Sequence, residues 1–476
     1  MHVLLALLSV EGYFAFVLLI REGENCMFEG FSRPRLLGLI ALSIGMAVGL
    51  GACGPDSNGK TAKLAPVVPA PTPTPNPAVA SACVPSGAMA VDVNPTNSQV
   101  SVYAPAGQWG SSTTGVFLVP VESGGVIGTG VTRATVATAH SVNSCSANSA
   151  TGVIICSANN TDAYLINRTT LTAFTLTSAG SGLQSFTGGS CTNCNALADP
   201  VTDLGMIGIS LTGGSSAGYQ FFSLSTGISQ GVVTVPGPGS PLSESPALEP
   251  NKHLLLSANE SQDFQIINFS TTSPGGFRYA KRSTVLSSTT LDGTAIDCTT
   301  DIALAADEFN NQVFITDLTQ ATFTPGSGTT FGTWDAPAQL QKTPGLLSIT
   351  TTGLAVAPSG HVGIMQSEFG GNDFAAFSLP STSGTGTPAL TDWVAALVPT
   401  QPDKASWNNT DDPHGLTAYT SPTTNQPMGV LLNIGRTYIA VIDINKLLAA
   451  PRSGPHTVQA SYNLVANGVL TFVSVH

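Results

Sequence analysis

Seven short alternating runs recur along the chain after residue 83, and each closes on a small or polar residue. They are Val100–Ala104 (VSVYA), Tyr164–Asn167 (YLIN), Tyr219–Ser223 (YQFFS), Phe264–Asn268 (FQIIN), Val313–Asp317 (VFITD), Phe374–Ser378 (FAAFS) and Ile439–Asp443 (IAVID). Their ends fall about 45–65 residues apart, the length of four short strands with their loops. Alternation places successive side chains on opposite faces of a strand. The clearest unit is Asp301–Leu318, DIALAADEFNNQVFITDL, an apolar run, an acidic turn and a second, alternating run. It reads as a β-hairpin with one wetter face.

Most of these runs are preceded by a second strand and a first. Ser245–Pro250, His253–Asn259 and Asp263–Phe269 form one trio, and Gly353–Pro358, His361–Ser367 and Asp373–Leu379 repeat it. Gly415–Pro422, Gly429–Asn433 and Tyr438–Ile444 repeat it again. One such sheet leaves apolar faces bare, whereas sheets packed face to face around an axis bury both. The expected fold is therefore all-β, a seven-bladed β-propeller of four-stranded antiparallel blades over residues 83–476. The 50 Gly and 32 Pro among 476 residues, with 9% charged, agree with many short strands and turns. The last strand, GVLTFVSVH, is expected to pair into the first blade near Ala88–Val93 or Gly115–Val121, which would join the ends of the ring. The alternative is closure by plain strand order.

The segments SPALEPNKHLLLSANESQDFQIINFS and DIALAADEFNNQVFITDL resemble the YVTN/NHL-type repeats of bacterial propellers. The resemblance covers about residues 85–476 and is clearest in the last four blades. It implies architecture rather than activity, since such relatives include lactonase-like enzymes, lyases and pure binding modules. No catalytic residue carries over.

The N-terminal part reads as a leader. Residues 1–26 are expected to be an upstream extension carrying the interrupted apolar segment Val3–Ile20, with Met27 as the true start. Residues 27–52 have a basic stub and an apolar core, the pattern of a secretory signal. Leu50-Gly51-Ala52-Cys53 resembles the lipobox of bacterial lipoproteins, which implies a diacylglycerol on Cys53 and an exported, membrane-anchored protein. Gly54 after that cysteine implies release to the outer membrane. Residues 53–82 are then a lipidated cysteine followed by a Pro/Thr-rich tether.

Several motifs are decoys. Gly54–Thr61 matches a phosphate loop letter for letter, but no buried strand leads in and prolines forbid a helix leading out, so no nucleotide is expected. Ser216 lies in GSSAG, but between two strands rather than on a strand-to-helix elbow. His140, beside the run ATVATA, reads as hydrogen-bonded structure. A net charge of −12 argues against a nucleic-acid partner. In an exported domain Cys83, Cys145, Cys156, Cys191, Cys194 and Cys298 are disulfide candidates, with Cys191–Cys194 as a loop staple and Cys145–Cys156 flanking one turn.

A candidate site follows from the symmetry. The turns between second and third strands share a face with the starts of the first strands. Glu260, Asp263, Asp307, Glu308, Glu368 and Asp373 lie on such turns, and Asp411, Asp412 and His414 precede a first strand. Gathered around one mouth, they would suit Ca²⁺ or a cationic partner, or simply cap turns. The reading favours a binding module for an unknown ligand or partner protein. The alternative is a metal-dependent lactonase-like hydrolase or lyase acting in the channel.

Overall fold

A computed structural model describes strands in the first 26 residues and then Met89–Val475. Within the latter it leaves out 106–113, 129–132, 159–161, 177–195, 211–216, 236–245, 259–263, 271–277, 285, 287–288, 327–331, 344–350, 360, 368–372, 405–415 and 433–436. The chain divides into Met1–Ala70 and Pro71–His476. In the first unit, His2–Val10 pairs antiparallel with Tyr13–Glu22, and Asn25–Cys26 adds a short third strand. No helix of the described residues is long and apolar enough to cross a membrane.

The second unit is a seven-bladed β-propeller. Blade 1 comprises Ala90–Val93, Val100–Pro105 and Val116–Ser123, with an outer edge in two pieces, Val126–Ile127 and Ala134–Val136. Blade 2 is Val142–Asn148, Val153–Ala158, Ala163–Asn167 and Ala173–Leu176; blade 3 is Ala196–Ala198, Leu204–Ser210, Ala217–Ser223 and Ser229–Val235. Blade 4 is Ala247–Glu249, Leu254–Ala258, Phe264–Asn268 and Arg278–Arg282. Blade 5 is Leu291–Asp297, Ile302–Asp307, Gln312–Asp317 and Ala338–Lys342. Blade 6 is Thr351–Val356, Val362–Ser367, Asp373–Ser378 and Asp392–Leu397; blade 7 is Leu416–Thr420, Pro427–Leu432, Tyr438–Asp443 and Leu470–Ser474. First strands of blades 1 to 3 and of blades 4 to 7 lie side by side in turn, and those of blades 7 and 1 also meet. In this meander the first strands begin on one face, here the upper, which also carries the second-to-third turns. The first-to-second and third-to-fourth turns lie on the lower face.

The core sits between blades. Phe314 packs with Phe264, Ile266 and Trp334 toward blade 4, while Val313 and Ile315 pack with Leu354, Met365 and Phe377 toward blade 6. The hairpin Asp301–Leu318 therefore has no wetter face: Thr316 and Asp317 are buried as well. A blade between two neighbours buries both sides, so the alternation marks which neighbour each side chain meets rather than core against solvent.

Two further expectations are corrected. GVLTFVSVH does not enter the first blade; Leu470–Ser474 is the outer strand of blade 7, paired with Tyr438–Asp443. The ring closes by plain strand order, because Val116–Ser123 already supplies blade 1 with its third strand. For the same reason VSVYA is the second strand of blade 1, not the third. Ten residues, 106–115, separate it in sequence from its partner and hide the register.

The third-to-fourth connections of the later blades cover the edge of the blade before. In blade 5 this connection forms the pair Thr322–Thr324 and Gly332–Asp335, and the latter runs parallel to the outer strand of blade 4. Trp334, fully buried, donates its indole N–H to the Phe264 carbonyl at 3.1 Å. In blade 6 it follows the outer strand of blade 5, where Leu390 N–H donates to Gln341 Oε1 at 2.8 Å and Gln339 Nε2 to the Pro388 carbonyl at 2.6 Å. In blade 7 it starts with the one-turn helix Ile444–Leu448 and reaches the outer strand of blade 6, where Val458 N–H donates to the Ala395 carbonyl at 2.9 Å. There the His456 ring stacks on Trp393 with centroids 3.7 Å apart. These additions satisfy edge groups that would otherwise invite pairing with another chain.

Cys145 and Cys156 face each other on adjacent strands of blade 2 and form a disulfide, as expected. Cys298 is also disulfide-bonded. Cys53, Cys83, Cys191 and Cys194 lie outside the described residues.

Candidate functional site

The two faces treat their polar groups differently. On the lower face a polar side chain at the end of a first strand caps the turn that follows. Asn94 Oδ1 accepts from Thr96 N–H at 3.0 Å, and Asp199 Oδ1 from Val201 N–H at 2.9 Å. Glu249 accepts from the N–H groups of Asn251 and Lys252, Asp297 Oδ1 accepts from Thr299 N–H at 3.0 Å, and Ser421 Oγ accepts from Thr424 N–H at 3.1 Å. Such side-chain caps mimic a backbone turn. His253, Asp301, His361 and Asn425 end their turns at φ 56°, 58°, 52° and 58°. That left-handed conformation lets the next strand reverse tightly.

The same turns hold neighbouring blades together. Arg168 of blade 2 donates to Asp92 of blade 1 at 2.9 Å, and Asn148 Nδ2 donates to the Asp199 carbonyl at 2.8 Å. Lys252 meets Asp301 at 2.6 Å, and His361 Nδ1 lies 2.6 Å from Asp297 Oδ2. Ser359 and Thr420 hydroxyls are 2.8 Å apart. At the seam of the ring, Ser421 Oγ donates to Glu122 Oε1 at 2.5 Å and Tyr419 Oη to Glu122 Oε2 at 3.0 Å. Burial pushes the Asp92, Asp199 and Glu249 carboxyls above the usual range, against the pull of their partners. Burial and the charge of Glu122 together push the Tyr419 phenol well above its usual value.

Toward the upper face the pattern reverses. Gln366, next to last in its upward-running strand, is 1% exposed, and neither its Oε1 nor its Nε2 has a hydrogen-bonding partner. The same holds for both polar atoms of Gln265, one residue into its downward-running strand in blade 4. Thr417 Oγ1, near the start of the first strand of blade 7, and Tyr103 Oη in blade 1 are likewise buried without partners. Each such group costs about 1–3 kcal/mol if it stays dry. Their concentration at one end of the blades marks that end as the one arranged for polar company, water or ligand.

Of the expected acidic mouth, Asp307 is bonded within its own blade. The Asp307 carboxylate accepts from Thr290 N–H at 3.1 Å, from Asn310 Nδ2 at 2.9 Å and from Gln312 Nε2 at 2.5 Å. It caps its own turn and ties it to the first strand. Glu308 N–H donates to the Thr290 carbonyl at 2.9 Å, and Phe309 beside it is 58% exposed. Asp373 is buried at the start of its strand. Glu260, Asp263, Glu368, Asp411, Asp412 and His414 lie outside the described residues. Among the described residues no three His, Cys, Asp or Glu side chains gather at metal-binding spacing. His140 stands on the same face, its Nδ1 2.5 Å from Asp162 Oδ2, and its N–H donates to Tyr164 Oη at 3.0 Å. Ser216 lies outside the described residues.

The lower-face caps escaped the sequence reading, although a signal was present. Asn94, Asp199, Glu249 and Ser421 are each followed by proline at the close of a first strand. Proline presets the turn whose N–H groups the preceding side chain accepts. The unpartnered Gln265 and Gln366 have no such signal, because they sit in ordinary strand positions.

Fold and site together define a β-propeller whose lower-face turns are capped and tied between blades, with buried, unpartnered polar groups on Gln265, Gln366, Thr417 and Tyr103 toward its upper face. No family model matches the chain, and no curated protein is significantly similar to it.

Proposed function

We propose that the protein is a lipid-anchored, extracytoplasmic propeller that binds a ligand or partner protein at its upper face. The observation that carries the binding face is the set of buried, unpartnered polar atoms on Gln265, Gln366, Thr417 and Tyr103 toward that end. A polar ligand or ordered water at this end offsets their desolvation, whereas most of the lower-face turn groups described above bond within their turns or across blades. The anchor rests on the lipobox-like Leu50–Cys53 behind an apolar leader, and the disulfides at Cys145–Cys156 and Cys298 suit an oxidising compartment. The YVTN/NHL-like repeats agree with a binding role without naming its target.

Two measurements test this reading. Intact mass of membrane-extracted protein should show a chain starting at Cys53 and carrying diacylglycerol; an unmodified chain retaining Leu36–Ala52 refutes the anchor. A photo-crosslinking residue at exposed Phe309 on the upper face should give a defined adduct in intact cells, and one at Asn97 on the lower face should not. Equal adducts from both positions, or none from Phe309, count against an upper binding face.

A further inference from the structure

A cavity of about 500 Å³ opens at the lower face between the first and last blades. Glu122 and Ile127 of blade 1 line one side; Thr424, Met428, Val441 and Lys446 of blade 7 line the other. Its volume is in the range of small-molecule sites.

The decisive group is Glu122. It is 1% exposed, and both its oxygens accept from hydroxyls, Ser421 Oγ at 2.5 Å and Tyr419 Oη at 3.0 Å. Both donors are neutral hydroxyls, so neither brings a positive charge to the carboxyl. No Lys, Arg or His among the described residues pairs with it. The other carboxylate of the lining, Asp443, differs. Its Oδ1 accepts from Lys446 N–H at 3.0 Å, capping the one-turn helix, and its Oδ2 lies 3.3 Å from Lys446 Nζ. The cavity thus holds one neutralised carboxylate and one that is not. Buried charges in proteins are ordinarily paired.

We infer that this cavity binds a small organic monocation, a primary ammonium on a short aliphatic stem, with its charge at Glu122. The stem lies along Ile127, Met428 and Val441. Lys446 at the rim disfavours a second positive charge, so a monoamine binds better than a diamine of the same length. Because the ligand touches blade 1 and blade 7, and no strand is shared between them, its binding holds the ring shut at the seam. This site is on the face opposite the one proposed above, and stands or falls independently of it.

The test is thermal unfolding of the purified full-length protein at constant ionic strength. The probes are butylammonium, 1,4-diammoniobutane and neutral 1-butanol. Butylammonium should raise the melting temperature saturably by about 2 °C. The diamine should do so more weakly, and butanol not at all. Glu122→Gln should abolish the butylammonium shift. Thr424→Lys, on an exposed turn, offers an internal ammonium and should also abolish it, and this variant decides the matter if Glu122→Gln does not fold. An equal shift in wild type and Thr424→Lys, or a shift with butanol equal to that with butylammonium, overturns the proposal, as does no shift with any probe.

Discussion

Tyr419 of the last blade donates its hydroxyl to Glu122 of the first at 3.0 Å, across a separation of 297 residues. Both groups are buried, so this bond lies inside the seam that closes the ring. Removing the donor leaves a buried charged acceptor with Ser421 alone. Tyr419→Phe should therefore destabilise the propeller by about 1.5–3 kcal/mol. Chemical denaturation of the two proteins checks it, and an unchanged midpoint would show that the seam does not depend on this bond.

A second prediction concerns acid. The Asp392 carboxyl is held below the usual carboxylate range by hydrogen bonds from Arg452, against a smaller opposing effect of burial. Its folded pKa lies below its unfolded one, so its contribution is present above the unfolded value, near 3.8, and is lost as pH falls through the folded value. The melting temperature of wild type should exceed that of Asp392→Asn at pH 6. The gap should close progressively below about pH 4. A gap that is constant with pH would mean that the pair does not act through its charge.

The third prediction is truncation. Leu470–Ser474 covers the edge of Tyr438–Asp443, and Val473 and Val475 belong to the apolar cluster between blades 7 and 1. Deleting 470–476 bares that edge and opens the cluster on one side. Aggregation or loss of a cooperative transition is expected, by light scattering and calorimetry. A truncated protein that melts as wild type does would place the closure elsewhere.

The fourth concerns the disulfide of blade 2. Cys145 and Cys156 are 11 residues apart, and closing a loop of that size restricts the unfolded chain. The double Cys→Ser variant should lose about 2–3 kcal/mol, seen as a lower denaturation midpoint under oxidising conditions. Under full reduction the wild type should lose at least as much, because the disulfide at Cys298 opens as well.

Blades 4 and 6 can be read in the sequence because their first strands close on the same Pro-led turn, LEPNKH and VAPSGH, and blade 5 because of the hairpin pattern DIALAADEFNNQVFITDL. In blade 1 the strand count slips by one because ten residues separate Pro105 from Val116 in sequence, and its outer edge is in two pieces, Val126–Ile127 and Ala134–Val136. The mode of closure was not legible, because alternation in GVLTFVSVH fits either partner equally well. Site residues were legible only as residue types. Asp307 reads as an acidic turn residue, yet only the fold shows that Thr290, Asn310 and Gln312 already occupy its carboxylate. Gln366 reads as an ordinary strand residue, and only burial without a partner sets it apart.

The edge covers on blades 4, 5 and 6 all come from the blade that follows in the chain. A chain that folds from its N-terminal end therefore completes each of these blades before the segment that shields it arrives. At every such moment the partial ring presents one fresh, bare edge, and the next stretch of chain closes it. Delay between Arg282 and Gly332, or between Leu397 and Thr457, would prolong that exposure. The order of the strands along the chain thus doubles as a schedule for keeping a half-built ring from sticking to its neighbours.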